Sequence, residues 1–185
     1  METSLTWLDR LVESPSDADW QRLMDVYSPL LSGWLVRAGV AEADRDDLVQ
    51  EVLLVVVRRV EEFEHAHPGA FRGWLRSILA NLLKKYFRER AARPCEFQLD
   101  DLTDPHSGLS QRLDREHDEH LARRMMQVVE QDFTAETWSA FRRQALEGHR
   151  PKDVARELGL SLNAVIKAKS RVLKRLRQEL ERLID

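Results

Sequence analysis

A single cysteine, Cys95, occurs in 185 residues, so no disulfide can close within the chain. Glycine and proline are also scarce, at 7 and 6 residues, which leaves little of the turn chemistry that a set of hairpins needs. The longest apolar run, 52–57, is far short of the roughly 20 residues that cross a bilayer, and no membrane insertion is expected. The opening METSLTWLDRLVESP has no basic stretch leading into an apolar one, so the cytoplasm is the expected compartment. Phosphate-cradling GxxxxGKS and GxGxxG loops are missing, as is any Cys/His set at metal-binding spacing. Neither a cofactor nor catalysis is therefore expected. Cys95 follows Pro94 without a neighbouring base and does not read as a catalytic thiol. His117 and His120 stand among acids, where solvation on an exposed helix is expected rather than metal binding.

What is abundant is Leu, Arg, Glu and Ala, all strong helix formers, and the expected fold class is all-α. Hydrophobic residues reach 43% and charged residues 33%, enough apolar material for a core in one or two small domains. The net charge of −3 hides a strong segregation along the chain. Residues 1–60 hold 11 acids and 6 bases, and residues 61–93 hold 4 acids and 7 bases. Residues 94–120 then reverse the sign with 8 acids and 2 bases, before 14 bases and 9 acids in 121–185. Pro94, Pro105 and Ser107-Gly108 interrupt regular structure in the acidic stretch, which reads as a linker. The expected domains are an N-terminal helical bundle over 1–93 and a C-terminal four-helix, helix-turn-helix domain over 110–185. The acidic linker between them covers 94–109, with an extension to 120 as the longer alternative.

In the front module, Trp20, Leu23, Met24, Tyr27, Leu30, Leu31, Trp34 and Leu35 recur at spacings of three and four, an amphipathic helix in which Pro29 marks a kink or a break. A second helix is expected from about Asp44 to Phe63. Its VLLVVV centre favours a strand by composition, but Leu48, Val52, Val56, Val60 and Phe63 continue a helical stripe. A helix this apolar all round is expected to have neighbours on most sides. After a loop at 65–69, a third helix is expected over about 70–91. At about 100° per residue, its Leu75, Ile78, Leu79, Leu82 and Tyr86 form a core stripe. The opposite arc carries Arg76, Lys84, Lys85, Arg88 and Arg90 with Trp74, Phe87 and Asn81 among them. Cations interleaved with aromatics offer what an unstacked strand needs, positive charge for phosphates and π-faces for bases. The alternative is a solvated basic face with its aromatics buried against neighbours.

In the back module, Pro151 can open a short helix, Gly159 can end it in the left-handed conformation, and Ser161 can cap the next. The longer helix buries Val165, Ala168, Val172, Leu176, Leu173 and Leu162 by angle, and turns Asn163, Lys167, Ser170, Arg171 and Lys174 outward within about 100° of arc. Lys169 falls on the apolar side without a reason in the pattern. A short helix, a Gly-containing turn and a second helix with an outward polar stripe form the geometry that presents side chains to a major groove.

Taken in order, these segments resemble the extracytoplasmic-function, or group IV, branch of the sigma-70 family of bacterial RNA polymerase sigma factors, over about residues 18–183. DDLVQEVLLVVVRR (46–59) is similar to the family's polymerase-binding helix, with Asp47, Leu48, Gln50 and Glu51 on its D-L-x-Q-E pattern. FRGWLRSILANLLKKYFRER (71–90) is similar to the helix that melts and contacts the −10 element, with Trp74, Leu75, Ile78 and Asn81 on its W-L-x-x-I-x-x-N pattern. The helix-turn-helix over 151–177 resembles the module that reads the −35 element. The resemblance implies polymerase contacts at Asp47, Gln50, Glu51 and Arg58. It implies −10 contacts at Arg72, Trp74, Arg76, Asn81, Lys84, Lys85 and Arg88, and a flipped base received in the loop between Phe63 and Ala70. On the −35 side it implies Asn163, Lys167, Ser170 and Arg171, with Arg150 and Lys152 near phosphates and Lys174 on the same stripe. Ala164-Val165-Ile166-Lys167-Ala168 stands where the family often has Thr-Val-Lys-Ser-Arg, so no promoter sequence transfers. The implied partners are core RNA polymerase, promoter DNA and an anti-sigma factor. The acidic linker matches the segment that threads the polymerase in that family, with a solvated spacer as its alternative.

Two other readings compete. A helix-turn-helix regulator acting without polymerase leaves the 46–63 and 71–90 helices without a purpose, and a helical protein-binding adaptor tolerates neutral residues at Lys167 and Arg171.

Overall fold

In the computed structural model the described residues are 16–63, 69–90, 95–96 and 98–183, and all their regular structure is helical. The elements are α1 (Asp17–Arg37), α2 (Glu42–Arg59) with a 3-10 turn at Val60–Glu62, α3 (Ala70–Arg90), a second 3-10 turn at Leu99–Leu102, α4 (Gly108–Glu130), α5 (Ala135–Ala145), α6 (Pro151–Leu158) and α7 (Leu162–Leu183). The chain divides into two compact units, Met1–Leu121 and Ala122–Ile184.

The first unit is a bundle of α1, α2, α3 and the first half of α4. Ser16 opens α1 with a capping box, its hydroxyl accepting from the Asp19 amide while the Asp19 carboxylate accepts from the Ser16 amide. Pro29 lies inside a helix that continues to Arg37, so of the two expectations the break does not occur. The valine-rich segment is helical, with Val49, Val52, Leu53 and Val56 buried. Leu54 and Val57 on the same helix are exposed, against the expectation of neighbours on most sides. The reason is that α1 and α3 cover only one side of α2.

The acidic segment departs from a free spacer. Leu102, Leu113 and Leu121 are each buried in the first unit, so this unit extends to the end of the longer linker alternative. These apolar anchors recur too sparsely among eight acids for a hydrophobic period to stand out.

The second unit packs the end of α4 with α5, α6 and α7. Val129, Trp138, Phe141 and Val172 form one cluster, and Ala140, Val154, Ala155, Val165 and Ala168 form another. Pro151 is the first residue of α6, Gly159 ends it at φ 66°, and Ser161 Oγ accepts from the Ala164 amide at 3.1 Å. Gln144, buried on α5, donates through Nε2 to the carbonyls of Ala140 and Val165, both at 2.8 Å, and so ties α5 to the first turn of α7.

Two glycines are expected to respond oppositely to alanine. Gly159 needs its positive φ, so Gly159→Ala costs about 1 kcal/mol. Gly33 sits within α1 with open space around its Cα, so Gly33→Ala stabilises by about 0.5–1 kcal/mol. Urea unfolding of both variants checks the signs; the same sign in both would contradict the backbone reading.

Candidate nucleic-acid interface

Helix α2 presents a stripe to solvent. At about 100° per residue, Asp47, Gln50, Glu51, Leu54 and Arg58 lie within about 100° of one another, and all five are exposed. Leu54, 49% exposed, is at the centre of this stripe. The sequence reading missed it because it sits inside an apolar run that looked wholly interior. Beside the stripe is a cleft of about 160 Å³ between α2 and α3, lined by Asp44, Asp47, Glu51, Lys85, Tyr86 and Arg90 among others. Its wall is fixed by the Tyr86 hydroxyl donating to Asp44 at 2.9 Å and by Arg90 pairing with the same carboxylate at 2.6 Å.

Helix α3 divides the predicted −10 residues into two groups. Asn81, Lys84, Lys85 and Arg88 are exposed. Trp74 is half-buried, its ring 5.1 Å from Phe63 and 5.7 Å from Phe71, so part of its π-face is already taken by neighbours. Arg76 is corrected outright: it is only 5% exposed, donates from Nε to the Leu102 carbonyl at 3.1 Å, and pairs with Asp114. Burial, and then the nearby Arg72, push its guanidinium below the ordinary arginine range. Arg72 bonds both carboxylate oxygens of Asp118, at 2.7 and 2.9 Å. The arc assigned to solvent is therefore partly roofed, because Ala80 and Leu83 between these cations are also buried. The base-receiving loop expected between Phe63 and Ala70, including His65 and His67, has its residues 64–68 outside the described set.

His117 and His120 are not solvated, which corrects a second expectation. His117 is 6% exposed; its Nδ1 lies 3.2 Å from Asp118 and its Nε2 3.3 Å from the Tyr27 hydroxyl. Nδ1–H donating to the carboxylate leaves Nε2 to accept from Tyr27, the neutral tautomer. His120 Nε2 donates to the Val26 carbonyl at 2.7 Å. No group of three or more metal-ligating side chains occurs among the described residues.

On the second unit, Arg150, Lys152, Asn163, Lys167, Ser170, Arg171 and Lys174 are all exposed. Val165, Ala168 and Val172 are buried beneath them, as the helical period requires. Leu162 is exposed rather than buried, Ile166 is 51% exposed, and Lys169 reaches solvent despite its angle. On the helical wheel all three lie to one side of the buried Val165, Ala168 and Val172 stripe, where α7 meets solvent.

The model of Sigma-70 region 2 matches residues 23–93, which take in most of α1 and all of α2 and α3. The chain is 30% identical over 148 residues to "Probable RNA polymerase sigma factor RfaY" of Xanthomonas campestris pv. campestris, covering 77% of this chain. It spans 36% of that protein's length. Among solved structures it is similar to that of CnrH in complex with the cytosolic domain of CnrY, at 20% identity over 97% of this chain and 98% of that one, with a TM-score of 0.41. It is also similar to the RsbN–BldN complex, at 18% identity over 94% and 99% of the two chains, with a TM-score of 0.35. Residues 23–93 thus form a Sigma-70 region 2 domain, the domain that gives the chain its likeness to RNA polymerase sigma factors. No helix among the described residues is long and apolar enough to cross a membrane.

The buried imidazole gives this unit a pH dependence. Desolvation lowers the pKa of His117, with Arg72 and His120 adding to it and Asp118 opposing. The unfolded chain therefore binds the proton more readily. Stability falls as pH drops through about 6.5 and levels off below the lowered folded value. Urea midpoints at pH 7.5 and 5.5 should converge more closely in His117→Gln than in the wild type, and equal pH slopes would count against the neutral buried imidazole.

Proposed function

We propose that this chain is an extracytoplasmic-function sigma factor: it binds core RNA polymerase through α2, engages the −10 element through α3, reads the −35 element through α7 and promotes DNA melting. The carrying observation is the combination in one chain of a Sigma-70 region 2 match over 23–93 with a helix-turn-helix exposing Asn163, Lys167, Ser170, Arg171 and Lys174. In this reading Asp47, Gln50, Glu51 and Arg58 surround Leu54 as a polar rim surrounds an apolar anchor. Asn81, Lys85 and Arg88 are the −10 contacts that need no rearrangement, Lys84 joins them once its pair with Asp100 opens, and Trp74 adds a partly covered stacking face. Arg150 and Lys152, at the start of α6, take phosphates and set the register of the reading helix. The domains of the reading are a region 2 unit, an acidic connector and a region 4-like unit. Its partners are core RNA polymerase, promoter DNA and an anti-sigma factor, in the cytoplasm.

Run-off transcription with purified core polymerase on a promoter library tests the whole reading. A discrete set of new start sites is expected on adding the chain, and unchanged start-site choice would refute it. Two substitutions separate its parts. Leu54→Asp places a charge where the reading buries a leucine side chain worth about 1.5–3 kcal/mol, so polymerase pull-down should weaken at least tenfold. Retention of full binding would remove α2 from the interface. Arg171→Ala should weaken binding to the selected promoter by about 1–3 kcal/mol while leaving unrelated sequences almost unaffected. An equal loss on all sequences, measured by competition binding, would reduce Arg171 to a phosphate contact.

A further inference from the structure

The acidic segment is laid along α3 so that its carboxylates meet the cations of that helix in sequence. Asp100 pairs with Lys84 at 2.6 Å. Asp114 pairs with Arg76 and reaches Arg72 Nε at 3.7 Å. Asp118 takes Arg72 Nη1 with both oxygens. Three of the six cationic side chains on α3 are thereby occupied by one segment of the same chain. Arg72 thereby commits Nη1 to a carboxylate at the place where a phosphate oxygen would otherwise be bound. The segment is held down away from these pairs as well. Leu102 and Leu113 are buried, Trp34 Nε1 donates to Glu116 at 3.1 Å, and Arg37 pairs with the same carboxylate.

We propose that residues 99–118 act as an internal nucleic-acid mimic, in which Asp100 and Asp118 occupy Lys84 and Arg72 in the free chain and must yield them before a DNA strand can lie along α3. This rests on the −10 assignment of α3 made above and adds its regulation. The pairs differ in how readily they part. Lys84–Asp100 is largely solvent-facing and exchanges its carboxylate for a phosphate at little cost, while the exposed Asp118 can release Arg72 and keep its contact with His117 Nδ1. Arg76–Asp114 is roofed and remains, fixing the segment as a hinge while its acidic side chains let go. The masking is electrostatic and therefore salt-dependent.

The test uses the full chain and a fluorescent single-stranded oligonucleotide carrying the non-template −10 sequence of a promoter selected in the run-off assay. Asp100→Asn with Asp118→Asn should bind it roughly three- to tenfold more tightly than wild type at low salt, with the gain shrinking at high salt. Asp101→Asn with Asp104→Asn is the control. It changes net charge equally, but neither acid pairs with a cation of α3, and Asp104 holds only the His106 amide at 2.9 Å. Its affinity should stay at the wild-type level. Equal gains in both double variants would reduce the effect to overall charge and overturn the proposal, as would no gain in the first. Urea unfolding of each variant establishes that a loss of binding is not a loss of fold. If wild type leaves start-site choice unchanged with core polymerase, the functional reading itself fails. If it transcribes and the first variant gains nothing, only the masking fails.

Discussion

A guanidinium taken out of water needs its counter-charge and its hydrogen bonds delivered to it, and Arg76 imposes that requirement on the first unit. A desolvated arginine costs several kcal/mol unless it is both paired and hydrogen-bonded. Asp114 supplies the charge and the Leu102 carbonyl accepts from Nε, so two stretches distant in sequence must come to α3. Once they are there, Leu102, Leu113 and His117 have a surface to bury against. The polar pair fixes which way the segment lies; the apolar contacts supply most of the favourable free energy.

The second unit answers a different requirement, the aim of one helix. α7 is held from beneath by Val165, Ala168 and Val172 and from the side by Gln144, whose amide reaches the Val165 carbonyl. Gly159 supplies the backbone reversal that no L side chain accepts cheaply. Farther along, Arg175 pairs with Asp132 and with the buried Glu179, and the hydrogen bond to Glu179 is the main cause of its raised pKa. The polar stripe of α7 faces outward because the face opposite it, Val165, Ala168 and Val172, is committed to the core.

The helix-turn-helix was legible in the sequence because its determinants are local: Pro151, Gly159 and Ser161 act within a few residues of where they stand. The helical state of the valine-rich run was legible from period, and its exposure was not, since that depends on which side α1 and α3 cover. Arg76, Arg72, His117 and His120 were misjudged for one shared reason. Each has a partner more than 20 residues away in sequence, and a wheel drawn on one helix cannot see it. Charge segregation was visible, but that opposite blocks would fold onto each other was not. Leu102 and Leu113, which anchor the acidic block, look unremarkable among their charged neighbours.

The two units consequently carry their positive charge in different states. In the first, acids drawn from 99–118 neutralise cations of α3 at contact distance, so the net charge of −3 is partly the sum of pairs already made. In the second, Arg150, Lys152, Lys167, Arg171 and Lys174 stand open, with no ion pair to another described residue. Long-range attraction to a polyanion falls off within about 10 Å at ordinary salt and depends on charge that is not locally compensated. The helix-turn-helix surface therefore presents uncompensated positive charge in the free chain, whereas α3 presents a weaker field until its carboxylates move away. Under the masking proposed for residues 99–118, α3 gains its full field only after its own acids are displaced, and the physical basis of that order is the exchange of carboxylate for phosphate at Arg72 and Lys84.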